Sequence, residues 1–207
     1  MYQPKHFAET NVAEMHALMR AHPLATLVSH GPDGLNANHI PLLLACDPAP
    51  WGKLQGHVAR ANPLWIAGNV AGEVLVVFRG DESYVSPSGY ATKAQHGRVV
   101  PTWNYAAVHA YGELRVIEDP AWILAQISAL TATNEAALPQ SWAVTDAPAE
   151  YIEKMLGAIV GIEITITRLL GKWKVSQNQP AENQSSLIAA FAARGDPMAA
   201  LIRRHRQ

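Results

Sequence analysis

The stretch Ile162-Glu163-Ile164-Thr165-Ile166-Thr167-Arg168-Leu169-Leu170-Gly171-Lys172-Trp173-Lys174-Val175-Ser176 decides the fold. Ile162, Ile164 and Ile166 alternate with Glu163, Thr165 and Thr167, the period of a strand with one buried and one solvated face. Gly171 reads as a turn that returns the chain through Lys172 to Ser176, so that two strands close an antiparallel sheet. Lysines on either side of Trp173 read as protection of a strand edge. Further strands precede this closure. Leu24–Ser29 and Leu35–Leu44 flank Gly31-Pro32-Asp33-Gly34 as a hairpin, and Lys53–Val58 follows the loop Asp47-Pro48-Ala49-Pro50. Val74–Phe78 is a buried strand, Tyr84-Val85-Ser86-Pro87 an extended piece, Tyr90–Gly97 a polar loop and Pro101–Ile117 a long strand.

Helices surround these strands. Asn11 and Glu14 have the spacing of a capping box, with Val12, Met15, Leu18 and Met19 on one helical face up to Pro23. Asn62-Pro63 opens a short helix with proline in its first turn. Asp119-Pro120 starts a helix carrying Trp122, Ile123, Ile127 and Leu130. A second follows Asp146 and Pro148 towards Ile159, and together they read as one insertion. Ser185–Ala193 and Pro197–Arg206 are short Ala-rich helices separated by Gly195-Asp196. Several strands joined by tight turns, with helices at the start, in an insertion and at the end, indicate an α+β fold built on an antiparallel β-barrel.

Composition narrows the function. Of 207 residues, 49% are hydrophobic and 16% charged, well below the usual level of about 25% charged. Such a surface implies cover, and a partner subunit is the simplest. Sixteen basic against 17 acidic residues leave a net charge of -1, so the chain as a whole has no electrostatic footprint for nucleic acid. The single cysteine, Cys46, excludes a disulfide framework and a Cys-rich metal site and fits a reducing cytoplasm. The start lacks a signal-peptide pattern, and no apolar run reaches about 18 residues, so neither secretion nor a membrane span is expected. Walker A, G-x-G-x-x-G, H-E-x-x-H and G-x-S-x-G patterns are all missing.

Four segments concentrate polar chemistry. In Gly56-His57-Val58-Ala59-Arg60-Ala61-Asn62-Pro63 a strand end delivers Arg60 and the Asn62 cap beside free N–H groups, an arrangement able to hold a phosphate. A solvated Arg60 and a purely structural cap explain the same residues. Asn38 and His39 fall on opposite faces of an apolar strand just before Ile40 and Pro41, and need partners in a planar ligand, a neighbouring strand or an interface. Pro101-Thr102-Trp103-Asn104-Tyr105, with His109 further along, is either a wall for a planar ring or part of the core. Lys172-Trp173-Lys174-Val175-Ser176-Gln177-Asn178 ends a strand in amides. The nine histidines are dispersed. His39, His57, His96 and His109 sit on different elements, so no metal site is expected, and one of them as a haem axial ligand is the alternative to ordinary core or surface histidine.

Met1-Tyr2-Gln3-Pro4 with Phe7, Ala25-Thr26-Leu27, His39-Ile40-Pro41-Leu42, Gly56–Pro63, Tyr84-Val85-Ser86-Pro87-Ser88, Val100–Tyr105 and Lys172–Asn178 together closely resemble the PaiB-type FMN-binding negative transcriptional regulators. The resemblance spans nearly the whole chain. It implies a split antiparallel β-barrel of the FMN-binding type, with peripheral helices, acting as a cytoplasmic homodimer with FMN between subunits. It implies an FMN-binding split-barrel domain over residues 1–180, with the helical insertion at about 119–159, followed by a helical C-terminal tail over 181–207. By the same resemblance Asn38, His39 and Ile40 line the flavin, His57, Arg60 and Asn62 hold its phosphate, and Trp103, Asn104, Lys174 and Gln177 complete the groove.

The family pattern continues Tyr-x-Ser-Pro-Ser with Trp and Tyr, whereas Gly89 stands in the Trp place before Tyr90. If that Trp packs on flavin, Gly89→Trp tightens FMN binding. The alternatives on the same barrel are a flavin-dependent oxidoreductase or flavin reductase using a reduced nicotinamide, in which the flavin performs the chemistry, and a haem-binding protein. No catalytic residue stands out. Arg203, Arg204, His205 and Arg206 offer a contact to DNA phosphates, but the same charges also favourably oppose a helix dipole. No recognition helix is evident, and any repression would be indirect.

Overall fold

Alternating aliphatic residues and turn chemistry set out the elements of the computed structural model, which describes residues 1–66 and 68–206. In chain order these are β1 (Ala8–Glu9), α1 (Val12–Ala21), β2 (Leu24–Gly31), β3 (Gly34–Pro41), β4 (Leu43–Ala45), β5 (Lys53–Ala59) and β6 (Val74–Val85). Then come α2 (Lys93–His96), β7 (Thr102–Ile117), α3 (Pro120–Glu135), α4 (Ala149–Leu156), β8 (Ile159–Lys174), α5 (Ala181–Ala192) and α6 (Met198–Arg204). The strands form a sheet in the order β3-β2-β6-β7-β8-β5-β4, with β1 added to β8. The pairs β2–β3, β2–β6, β4–β5 and β5–β8 are antiparallel. The fold is α+β, as the pattern indicates.

The chain divides into two units, Met1–Leu18 with Arg79–Val108 and Leu170–Gln207, and Met19–Phe78 with His109–Leu169. In the second unit Ala25 and Leu27 of β2, Val74, Val76 and Phe78 of β6 and Ile162 and Ile164 of β8 are buried. Each large side chain removed from water there contributes about 1.5–3 kcal/mol. The first unit buries Leu187, Ile188 and Phe191 of α5 with Met198 and Ile202 of α6. Asp196 joins these two helices by accepting the Met198 N–H at 3.0 Å and the Ser83 hydroxyl at 2.8 Å.

Several elements differ from their sequence reading. Gly171 is not a turn, because β8 runs through it to Lys174. A Cβ there would stand 2.8 Å from the Met15 side chain, and Gly171 pairs with Glu9 of β1. The glycine therefore serves close approach rather than reversal. Lys172 is buried, not an exposed edge lysine. Its Nζ donates to the Tyr2 carbonyl at 3.0 Å and lies over the Tyr2 and Tyr105 rings. Val74–Phe78 and Tyr84-Val85 belong to one strand, Val74–Val85, and Ser86 caps the turn that follows. The Leu35–Leu44 strand is interrupted at Leu42, whose N–H turns to the Pro23 carbonyl at 2.9 Å. At α1, Asn11 accepts the Ala13 N–H at 2.9 Å, but the Asn11 N–H goes to Glu9 at 2.7 Å rather than to Glu14.

Candidate functional site

In the second unit the hairpin brings Asn38 and His39 onto β3. His39 faces Thr26 across the β2–β3 ladder, with Nδ1 3.1 Å from Thr26 Oγ1, and Ile40 beside it is buried. The Asn38 amide donates to Asn36 at 2.9 Å, and its carbonyl accepts from Asn62 Nδ2 at 2.7 Å. Asn62 also caps the 3₁₀ turn Pro63–Trp65 by accepting the Leu64 N–H at 2.9 Å. His57 Nδ1 lies 2.8 Å from Gln126 Oε1. That oxygen can only accept, so Nδ1 carries a proton.

Arg60 is the held cation of this corner. Its Nε donates to the Gly157 carbonyl at 3.0 Å, Nη2 to the Ile159 carbonyl at 3.4 Å and Nη1 to Glu118 at 2.8 Å. The guanidinium also lies over the Trp65 ring, 5.3 Å from its centroid, and Trp65 Nε1 donates back to the Arg60 carbonyl at 2.8 Å. Neither side chain of the Glu118 pair is buried, so the pair contributes only about 0–1 kcal/mol and yields readily to a competing anion. Arg60 keeps further N–H groups beyond those it gives away. Charge, leftover donors and a fixed orientation fit a phosphate monoester.

The first unit holds Trp103, Asn104, Lys174 and Gln177. Trp103 is 54% exposed and meets Tyr84 edge-on at 5.7 Å between centroids, which leaves aromatic surface open to a planar ring. Asn104 is buried and exchanges hydrogen bonds with the Ser176 hydroxyl at 2.9 and 3.2 Å. Ser176 adopts a φ of 64°, a left-handed conformation strained for a residue with a Cβ. Lys174 Nζ donates to Thr102 Oγ1 and to the Trp103 carbonyl. Burial pushes the Lys174 ammonium below its ordinary lysine pKa, Lys172 adding to the shift and Tyr105 opposing it. Gln177 folds back over the end of β8, accepting the Val175 N–H at 2.8 Å and donating to the Trp173 carbonyl at 2.6 Å.

Asn104 and Lys174 line a cleft of about 340 Å³ that the sequence reading did not assemble. Its other polar walls include His96 and Arg98, Thr102 of β7, and Asn183 of α5. α5 pins the preceding loop here. Asn183 accepts the Thr92 N–H at 3.0 Å and donates to Thr92 Oγ1 at 3.0 Å and to Gln179 at 3.1 Å. Ser186 accepts the Ala91 N–H at 3.2 Å and donates to the Gly89 carbonyl at 2.7 Å. The sequence reading began this helix at Ser185, whereas α5 starts at Ala181, directly after Pro180. Gly89 faces α5 as well, since a Cβ there would lie 2.9 Å from Leu187. Among the described residues no group of three or more His, Cys, Asp or Glu side chains could hold a metal, and no helix is long and apolar enough to cross a membrane.

Strand order and helix placement define an α+β split-barrel protein whose polar chemistry is carried by strand ends. Residues 1–168 match the family described as "Putative FMN-binding domain", and the chain belongs to that family. It is 34% identical to the uncharacterized protein AN0679 of Emericella nidulans, over 92% of this chain and 90% of that one. It is 28% identical to the protease synthase and sporulation protein PAI 2 of Bacillus subtilis, over 96% and 93% respectively, which bears out the resemblance read from the motifs. Among solved structures, the FAD and heme binding protein from Mycobacterium smegmatis shares the fold with a TM-score of 0.57 at 17% identity, over 88% of this chain and 79% of that one.

Proposed function

We propose that this chain is a PaiB-like flavoprotein that holds FMN in a groove between two copies of itself and acts in the cytoplasm as a negative regulator of transcription. The observation that carries the flavin reading is Arg60, a fixed and partly exposed guanidinium two residues before the Asn62 cap that bonds Asn38, within the span that matches the FMN-binding family. There Arg60, Asn62 and His57 hold the phosphate. Asn38, His39 and Ile40 lie along the flavin, and Trp103, Asn104, Lys174 and Gln177 complete the groove. Bound FMN supplies electron and hydride transfer, while the protein binds and orients it.

Regulation in this reading is indirect. The net charge is -1, and much of the basic C-terminal end is engaged within its own unit. Arg204 pairs with Glu14 at 3.4 Å, His205 lies 3.6 Å from Glu9, and Arg206 donates to the Ala181 carbonyl at 3.4 Å. Weak electrostatics of this kind support no sequence-specific DNA contact. The test is the visible spectrum of the purified protein before and after adding FMN, haemin and a reduced nicotinamide. FMN bound without turnover supports the regulator. Rapid reduction of bound FMN by the nicotinamide replaces it with an oxidoreductase. Binding of haemin alone replaces it with a haem protein, and binding of neither cofactor refutes the flavin reading.

A further inference from the structure

We propose that the cleft of the first unit, which shares Asn104 and Lys174 with the proposed flavin groove and rests on that reading there, is a binding site for a small molecule bearing a compact oxyanion, a carboxylate or a phosphate, distinct from the phosphate of the flavin. At about 340 Å³ it is of the size of a small-molecule pocket, about 300–1,000 Å³.

Its charge is one-sided. Arg98, Lys174 and His96 line it, and among its described lining residues none is acidic, in a chain that carries 17 acidic side chains. The nearby Glu182 of α5 is turned to Gln95 at 2.9 Å. Among the described residues the Arg98 guanidinium has no partner, so its planar fork is available for bidentate capture of a carboxylate or phosphate.

Donor directions agree with an anion. His96 Nδ1 accepts the Arg98 N–H at 3.0 Å, which places the proton of a neutral ring on Nε2 as a free donor. Thr102 Oγ1 accepts from Lys174, leaving its hydroxyl proton for a ligand. The walls are built rather than accidental. Thr92, Asn104, Ser176 and Asn183 are all buried and hydrogen-bonded in pairs, Thr92 with Asn183 and Asn104 with Ser176. Ser176 holds its strained left-handed backbone at this wall, a feature that concentrates at ligand-binding positions. Burial lowers the pKa of Lys174, and an oxyanion in the cleft would restore the favourable environment its ammonium lacks.

The test is an NMR titration of the full chain with inorganic phosphate, acetate and neutral acetamide, following the backbone amides of Thr92 and Arg98, in the presence and absence of FMN. Phosphate or acetate shifts these amides saturably and acetamide does not, the tighter of the two anions identifying the group recognised. Arg98→Gln weakens anion binding about tenfold or more, Arg98→Lys retains part of it, and FMN affinity is unchanged in both. The proposal is overturned if neither anion binds, if Arg98→Gln leaves anion affinity unaltered, or if FMN displaces the anion competitively, which would make the cleft the flavin's own phosphate pocket. Anion binding by a protein that does not take up FMN sinks the flavin reading and leaves this one standing.

Discussion

Asn183→Ala tests whether α5 is a structural wall of the first unit. The substitution removes the acceptor of the buried Thr92 N–H at 3.0 Å and the bonds to Thr92 Oγ1 and Gln179. Stranding a buried main-chain donor costs about 1–3 kcal/mol. The Thr92 hydroxyl can rotate to another partner and Gln179 is only half-buried, so each of those bonds adds roughly 0.5 kcal/mol. The sum is about 2–4 kcal/mol. At about 2–4 °C per kcal/mol for a chain of this size, the unfolding midpoint falls by on the order of 10 °C. Denaturant unfolding gives the free energy, and amide exchange at Thr92 locates the loss. Ser186→Ala loosens the same loop through Gly89 and Ala91, so the double variant loses less than the sum of the singles. A destabilisation within about 0.5 kcal/mol of zero, or unchanged protection of Thr92, would refute the reasoning.

Other perturbations read out the same architecture. Gly89→Trp restores the aromatic residue of the family pattern but drives its Cβ to within 2.9 Å of Leu187, which is 2% exposed. Unfolding measurements should show a loss of about 1–3 kcal/mol from overpacking, and FMN titration should show tighter binding only when Leu187→Ala is added. Burial alone would raise the pKa of Asp196, but the Met198 N–H, Arg194 and Ser83 outweigh it and hold the carboxyl below its ordinary value. A depressed carboxylate stabilises the fold above its unfolded pKa of about 3.9 and loses that contribution as the pH falls through the folded value. The stability advantage of the wild type over Asp196→Asn is therefore full at neutral pH and shrinks in denaturant melts below about pH 4. Arg60→Met removes the cation of the proposed phosphate corner, and equilibrium dialysis should show FMN affinity reduced about tenfold or more.

What was legible in the sequence was local. The alternation of Ile162, Ile164 and Ile166 marked β8, and all three are buried. The same alternation placed Glu163 in solvent, yet it is buried, with Lys53 at 3.1 Å, Arg115 at 2.8 Å and Gln55 at 2.8 Å. Those partners come from β5 and β7, which only the sheet order brings beside β8. Gly171 misled for a related reason. A glycine in a strand reads as a turn until the side chain that packs against it is known, here Met15. The Asn62 cap and Arg60 were visible because they lie in one short segment. The cleft draws on residues 90–100, which include α2, on β7, the end of β8 and α5, and no sequence period links them.

Flavin binding is tested by titrating the purified chain with FMN and following the quenching of flavin fluorescence. Saturable quenching with one FMN per chain, weakened by Arg60→Met, is expected. Flavin fluorescence that stays unquenched throughout the titration, or quenching indifferent to Arg60→Met, would contradict it.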